Sequence, residues 1–217
     1  MTLLLNCILP VVLMFIRPLW EGGGMMGGNA GFGLLVMVIW GGSFLMAQGT
    51  LNDKESGVIV RILSAPVSML SYLAQNLLAY MAPLTVQVIL VSALGMILHD
   101  WSLNLALTLF VCYTVFTISS VALSFAWNCL FKQKSSSFAA FSAVITFGIF
   151  LSGASFPLSL FPTALQYAGM IFPAFWAVRG IDEAMAYGMT GDFWLSILAM
   201  VLFTMAFLLY GSKRRMI

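Results

Sequence analysis

Long runs without a charged residue are the feature that most constrains how this chain can fold. The five longest are Gly22–Asn52, Ile62–Leu98, Trp101–Phe131, Ser135–Val178 and Phe193–Ser212. Each is long enough to supply the roughly 20 apolar residues with which a helix crosses about 30 Å of hydrocarbon. Only 7% of all residues are charged, whereas soluble domains carry about 25%. The chain is therefore predicted to be an integral membrane protein.

The uncharged runs predict helices, because they lack the period-two alternation of apolar and polar residues that membrane β-strands need. Helices also satisfy their own backbone hydrogen bonds in lipid. We predict an all-α fold, one domain over residues 1–217, and six spans. The predicted spans are 2–17, 33–52, 71–98, 103–130, 135–154 and 193–211. The first contains Pro10 but lacks the basic start and small-residue cleavage site of a signal peptide.

The positions of the basic residues predict how the chain is oriented in the membrane. Short cytoplasmic loops carry an excess of lysine and arginine. With six spans, seven of the nine basic residues fall on the side that holds both termini, and five of the seven acids fall on the other. The seven are Lys54, Arg61, Lys132, Lys134, Lys213, Arg214 and Arg215. We therefore expect a multi-pass protein of the cytoplasmic (inner) membrane with both termini in the cytoplasm.

The stretch Ser152–Met185 is uncharged as far as Val178, but it cannot form one long helix. Glycine and prolines interrupt it repeatedly, and each proline removes a backbone donor. We predict two short helices, about 161–171 and 174–187, that are re-entrant or interfacial on the external side. The alternative is a plain amphipathic external loop. Arg179 is expected to form a local salt-bridged cap with Asp182 and Glu183.

A charged stretch, Asn52–Leu73, interrupts the chain between the second and third predicted spans. It contains a predicted helix of about 8 residues, about 12 Å long, which is too short to cross a bilayer. Four residues form its apolar side: Val58, Ile59, Ile62 and Leu63. That side must rest either on lipid headgroups or in a groove of another protein. The residues alone leave these two possibilities open.

Two stretches of this sequence resemble ABC-2 type transporter permeases. The first precedes the last span, where the family pattern is matched by Gly153, Phe156, Pro157, Pro162, Pro173 and Arg179. The second is the first cytoplasmic loop, where it is matched by Glu55, Gly57, Arg61, Leu63, Ala65 and Pro66. The chain departs from the family at its start. Members usually carry a cytoplasmic amphipathic helix before the first span, and we interpret that helix as missing here.

The resemblance implies the permease subunit of an ATP-driven ABC exporter, working as a homodimer or with a sister permease. The short cytoplasmic helix would then be a coupling helix that contacts a separate ATP-binding subunit. Its contact residues would be Glu55, Gly57, Val58, Arg61, Ile62, Leu63 and Pro66. The six matched residues before the last span would form an external gate. The substrate would be amphiphilic, lipid-linked, glycan or drug-like.

The sequence indicates no cofactor or catalytic machinery on this chain. It has no Gly-x-x-x-x-Gly-Lys-Ser/Thr loop, so ATP is expected on the partner. Three cysteines and one histidine show no metal-ligand spacing, and a net charge of +2 does not suggest nucleic acid. The interiors of the predicted spans lack ionisable groups, which argues against an intramembrane enzyme and an ion-coupled carrier or channel, the two alternatives. Five polar residues are candidates for a substrate path: Ser43, Gln48, Asn76, Gln87 and Asn128.

Overall fold

The computed structural model describes residues 2–16, 20, 30–63 and 68–213, and regular structure in these ranges is helical throughout. The helices are α1 Thr2–Met14, α2 Ala30–Glu55, α3 Val58–Leu63, α4 Met69–Leu98, α5 Leu103–Asn128, α6 Lys134–Leu151, α7 Thr163–Gly169, α8 Pro173–Ala186 and α9 Gly191–Lys213. A 3-10 turn, Leu158–Leu160, lies between α6 and α7. The predicted all-α class is thus confirmed for the described part of the chain.

Five of these helices are long and apolar enough to cross a membrane: α2, α4, α5, α6 and α9. They coincide with five of the six predicted spans. The remaining predicted span, 2–17, contains α1. This helix has 13 residues, so it is only about 20 Å long. That is less than the roughly 30 Å of a bilayer's hydrocarbon core. The multi-pass membrane prediction is confirmed by the five long helices, and a sixth crossing stays a prediction.

Helix α5 is the centre of the bundle and packs against α2, α4, α8 and α9. Buried side chains run along nearly its whole length, from Ala106 to Asn128. The core is rich in aromatic rings, because Trp40 of α2 lies edge-on to Phe116 of α5 and to Phe141 of α6. Phe44 and Phe141 stack with ring centroids 3.9 Å apart. Helix α6 is thereby fixed to α2.

An aromatic cluster closes the end of the bundle that holds the α4–α5 turn. The His99 side chain lies 2.9 Å from the carbonyl oxygen of Met14, the last residue of α1, through its Nε2 atom. The Trp20 ring lies 5.1 Å from Phe32 of α2 and 5.8 Å from Trp101. These contacts attach the end of α1 to α4 and α2. The lone histidine therefore has a structural contact here.

The proline-rich stretch after α6 forms two short helices, close to the predicted positions. Pro162 and Phe172 precede α7 and α8, and Pro173 is the first residue of α8. A proline at the first helical turn loses no intrahelical hydrogen bond, so these prolines start helices. Helix α8 packs deep against α5, since the Cys112 Sγ lies 3.6 Å from the carbonyl oxygen of Ala177.

Candidate functional site

The candidate site is the end of the bundle where α2 turns into α3, which we call the basic end. Among the described residues it holds Lys54, Arg61, Lys132, Lys134 and Lys213. Its centre is the two-residue turn between α2 and α3. The amide of Gly57 donates to the carbonyl of Lys54 at 3.1 Å. Gly57 has φ +72°, a left-handed conformation that glycine adopts without the steric penalty of a Cβ.

Helix α3 has one side on the bundle and another facing outward. Ile59 is 2% exposed and packs into a cluster with residues of α2, α4 and α5, including Tyr72 and Phe125. Val58 and Arg61 are exposed. The expected apolar side, which grouped Val58 with Ile59, is therefore divided between the bundle and the surface. This follows from the 100° rotation between successive helical residues.

Four of the residues singled out around α3 lie wholly or partly outside the described parts of the chain. Ala65 and Pro66 fall between residues 63 and 68, and the side chains of Ile62 and Leu63 are likewise not described. Helix α3 itself spans six residues, two fewer than predicted. The predicted contacts of these four residues stay predictions.

Three side-chain contacts fix the end of α2 to the neighbouring elements. The Tyr72 hydroxyl of α4 donates to the Asp53 carboxylate at 2.7 Å. The Lys54 ammonium donates to the Phe131 carbonyl in the α5–α6 turn at 3.0 Å. The backbone N–H of Lys134, the first residue of α6, donates to the Glu55 carboxylate at 2.8 Å. Glu55, expected at an intermolecular contact, thus already binds within the chain.

A buried hydrogen-bond network lies just inside the basic end. The Asn128 amide of α5 is fully buried and donates to the Ala47 carbonyl at 2.8 Å and to the Thr50 hydroxyl at 3.3 Å, both on α2. Its oxygen accepts a hydrogen bond from the Ser137 hydroxyl of α6 at 3.0 Å. Asn128, a candidate for a substrate path, is therefore a structural link among three helices.

A partly open cavity of about 690 Å³ lies between α2, α4 and the start of α6. It is lined by Leu45, Met46, Gln48, Gly49, Asn52, Ala79, Tyr80, Pro83 and Lys134. Of the five polar path candidates, the lining includes Gln48. Ser43 and Gln87 are buried elsewhere in the bundle, and the Asn76 amide donates to the Tyr72 carbonyl of its own helix at 3.1 Å.

The residues predicted to form an external gate lie at the opposite end of the bundle, around α7 and α8. Gly153 has φ +84° directly after α6, and the Phe156 ring lies 5.8 Å from Phe150. The Arg179 guanidinium of α8 lies 3.7 Å from the Asp192 carboxylate of α9 and 5.9 Å from the centre of the Trp176 ring. Arg179 therefore joins α8 to α9, a contact that the local pattern did not predict.

Among the described residues, no group of three or more His, Cys, Asp or Glu side chains is arranged to hold a metal ion.

Comparison with known proteins identifies the family. A search of curated proteins finds no match. The profile of a family described as "ABC-2 family transporter protein" matches residues 23–213, a range that contains α2 to α9 and both ends of the bundle. The chain belongs to the ABC-2 transporter family and is a transmembrane transport protein.

Proposed function

We propose that this protein is the permease subunit of an ATP-driven exporter and that α3 is its contact with an ATP-binding subunit. The observation that carries the proposal is the position of α3 at the basic end. One side of this helix is fixed by Ile59, and the exposed Val58 and Arg61 are presented outward. A short helix with an exposed apolar residue beside a basic one suits docking into a groove of another protein.

The contacts around α3 support a mechanical role for it. Gly57 joins α3 to α2 by a two-residue turn. The end of α2 is in turn bound to α4 through Asp53 and to α6 through Glu55. Because packed interiors transmit displacements, a shift of α3 would reach α2, α4 and α6 together. ATP hydrolysis on the partner would in this way move the membrane helices, with no cofactor bound to the permease itself.

The remaining coupling residues of the proposal are Glu55, Gly57, Ile62, Leu63 and Pro66. In this proposal the basic end faces the cytoplasm, as expected from the excess of positive charge in short cytoplasmic loops. Both termini are then cytoplasmic and α1 is a sixth, short span in the inner membrane. The opposite end, with α7 and α8, faces outward and forms the gate. The packing of α8 against Cys112, well inside α5, supports a re-entrant position for α8.

The permease would act as a homodimer or with a sister permease. Helix α6 leaves much of its surface uncovered, and Phe138 and Phe147 are 52% and 65% exposed. Such apolar side chains require lipid or a second membrane subunit around them. An amphiphilic, lipid-linked, glycan or drug-like substrate would move outward between the two subunits.

The proposal is tested by disrupting the outward side of α3. The tagged chain is purified with the ATP-binding protein that accompanies it, and the variants are Val58→Asp and Arg61→Glu. We expect each to reduce co-purification and substrate-stimulated ATP hydrolysis by about tenfold, since interface anchors contribute about 1–2 kcal/mol or more. The matched control is Met189→Asp, which places the same charge on an exposed residue at the opposite end.

Two results would contradict the proposal. One is unchanged ATPase coupling in both α3 variants when the control is also unchanged. The other is substrate transport by the purified permease under an ion gradient with no ATPase present, which would favour a carrier. Membrane insertion of each variant is checked first, so that a failure to fold is not read as a failure to couple.

A further inference from the structure

We propose that the cavity between α2, α4 and the start of α6 binds an amphiphile with an anionic head group. The binding itself does not depend on the proposed function. Only the identification of the ligand as transported cargo, rather than as a lipid of the surrounding membrane, rests on it. Three features of the cavity carry the proposal: its size, the division of its lining, and the Lys134 ammonium in that lining.

The cavity has the volume of a small-molecule site. Its volume of about 690 Å³ falls within the range of about 300–1,000 Å³ that is usual for ligand pockets. Along α2 the lining runs from Leu45 to Asn52, a distance of about 10 Å at 1.5 Å per residue. This length accommodates a head group together with the first part of an apolar chain.

The lining is apolar at one end and polar at the other. Leu45 and Pro83 lie deeper in the bundle, because α2 and α4 both meet the basic end at Glu55 and Met69 respectively. Asn52 and Lys134 lie at the basic end itself. The Tyr80 side chain contacts Gly49, where a Cβ would collide with its hydroxyl. An amphiphile would enter with its tail inward and its head group at the basic end.

The cavity lining holds one charged donor, the Lys134 ammonium. The Lys134 ammonium makes no ion pair with any carboxylate in the described part of the chain. The Gln48 Nε2 atom makes no hydrogen bond either, but it is enclosed by protein atoms and out of reach of a ligand in the cavity. A ligand that brings an acceptor oxygen to the Lys134 ammonium would be stabilised by a charge-assisted hydrogen bond.

The charges around the cavity favour an anion over a neutral or zwitterionic head group. The two acidic groups nearest along the chain are already engaged, Asp53 by the Tyr72 hydroxyl and Glu55 by the Lys134 amide. Both carboxylates keep their charge, but neither lines the cavity, and the charge in the lining itself is that of Lys134. A phosphate or carboxylate can accept from the Lys134 ammonium, and hydrogen bonds between charged groups are the stronger kind.

The test measures lipid binding to the purified full-length chain in a neutral saccharide detergent by native mass spectrometry. The probes are phosphatidylglycerol and phosphatidylcholine with identical acyl chains. We expect phosphatidylglycerol to bind more tightly, and Lys134→Gln to weaken that binding by about tenfold or more, as expected for one charge-assisted hydrogen bond. Lys134→Arg, which keeps the positive charge, should retain it.

Lys132→Gln is the matched control, because Lys132 is exposed on the same turn and does not line the cavity. Equal losses in the Lys132 and Lys134 variants would overturn the proposal, since the attraction would then be diffuse surface charge. Equal affinity of wild-type protein for the two lipids would overturn it as well. Lys134 is partly exposed, so its replacement by glutamine is expected to leave the fold intact.

The source of the ligand is decided by what accompanies the protein from cells. An anionic phospholipid that co-purifies with wild type but not with Lys134→Gln identifies a membrane lipid as the occupant. Lys134-dependent binding of the added probe, with no co-purified lipid, is the result expected if the site is empty until transported cargo arrives. If binding is confirmed while the α3 variants leave ATPase coupling unchanged, the exporter proposal fails and the cavity proposal stands.

Discussion

At the scale of single residues, Asn128 shows how a polar side chain can hold helices together inside a membrane protein. Its amide group bonds to α2 through Ala47 and Thr50 and to α6 through Ser137. All of these residues are fully buried. Hydrogen bonds between membrane helices contribute about 0.6 kcal/mol on average and up to about 1.7. A side chain that makes three of them should lie toward the upper end.

We therefore expect Asn128→Ala to lower the free energy of unfolding by about 1–2 kcal/mol. The variant loses bonds to two neighbouring helices and leaves the Ser137 hydroxyl without its acceptor. The measurement is a denaturant or thermal unfolding curve in detergent. Asn76→Ala is the control, because the Asn76 amide bonds to Tyr72 within its own helix. Equal effects of the two substitutions would contradict a special role for Asn128.

Two glycines of α2 offer a second comparison at this scale. A Cβ at Gly33 would collide with the Ala154 carbonyl oxygen and lie 2.7 Å from its carbonyl carbon, whereas a Cβ at Gly41 would meet nothing within 4 Å. Gly33→Ala must push the backbone at residue 154 away from α2, so we expect destabilisation by about 1–3 kcal/mol. Gly41→Ala should be neutral or stabilising by up to about 1 kcal/mol. Thermal unfolding midpoints of the two variants provide the measurement, and a reversed order would refute the close approach.

At the scale of elements, the end of α2 contacts α6 and the α5–α6 turn, which are distant from it in sequence. Glu55 and Lys134 are 79 positions apart, and Lys54 and Phe131 are 77 apart. The carboxylate of Glu55 satisfies the first N–H of α6, which has no intrahelical acceptor. No side chain of α6 itself caps this end, because its N-cap residue Gln133 makes no such hydrogen bond.

Loss of the Glu55 carboxylate should therefore loosen the start of α6. In Glu55→Ala we expect hydrogen exchange in the first turn of α6, residues 134–137, to accelerate by about five- to thirtyfold, since an N-cap contributes about 1–2 kcal/mol. Hydrogen-exchange mass spectrometry would measure it. The first turn of α9, at the opposite end, is the internal control and should be unchanged. Acceleration at both ends alike would indicate general destabilisation instead.

The short helices α7 and α8 show what local sequence patterns can predict and what they cannot. The predicted pair, 161–171 and 174–187, corresponds to Thr163–Gly169 and Pro173–Ala186. The prolines predicted the first residues of these helices closely, because a proline fits the first turn of a helix and is disfavoured in its interior. The local pattern predicted that Arg179 would pair with Asp182 and Glu183, three and four positions further along the chain. It did not predict the pairing of Arg179 with Asp192. That pairing depends on how α9 packs against α8.

At the scale of the whole molecule, the position of the basic end predicts how the protein is oriented in the membrane. Under the proposed topology, Lys132 in the α5–α6 turn is cytoplasmic and Tyr187 after α8 is external. Both residues are exposed, whereas Cys112 and Cys129 are buried, so we expect them not to react with large reagents.

Single cysteines at these two positions would report the orientation. In a Cys7→Ser background, Tyr187→Cys should react with a membrane-impermeant maleimide added to intact cells, and Lys132→Cys should react only after the cells are opened. The expected ratio of labelling is about tenfold or more at each site, because charged reagents do not cross hydrocarbon. Labelling of both sites from the outside, or of Lys132→Cys alone, would overturn the proposed orientation.

The sequence alone determined the membrane class, the helical fold, the positions of five long helices and the family. These follow from long uncharged runs, from helix-breaking residues and from two local motifs, all of which act over short stretches of chain. Only the tertiary structure decided which polar residues line a cavity and which join helices. Gln48 and Asn128 are both amide side chains within predicted spans. In the structure, Gln48 lines the cavity, whereas Asn128 is enclosed by α2 and α6. The difference lies in packing between distant segments, which a single stretch of sequence does not record.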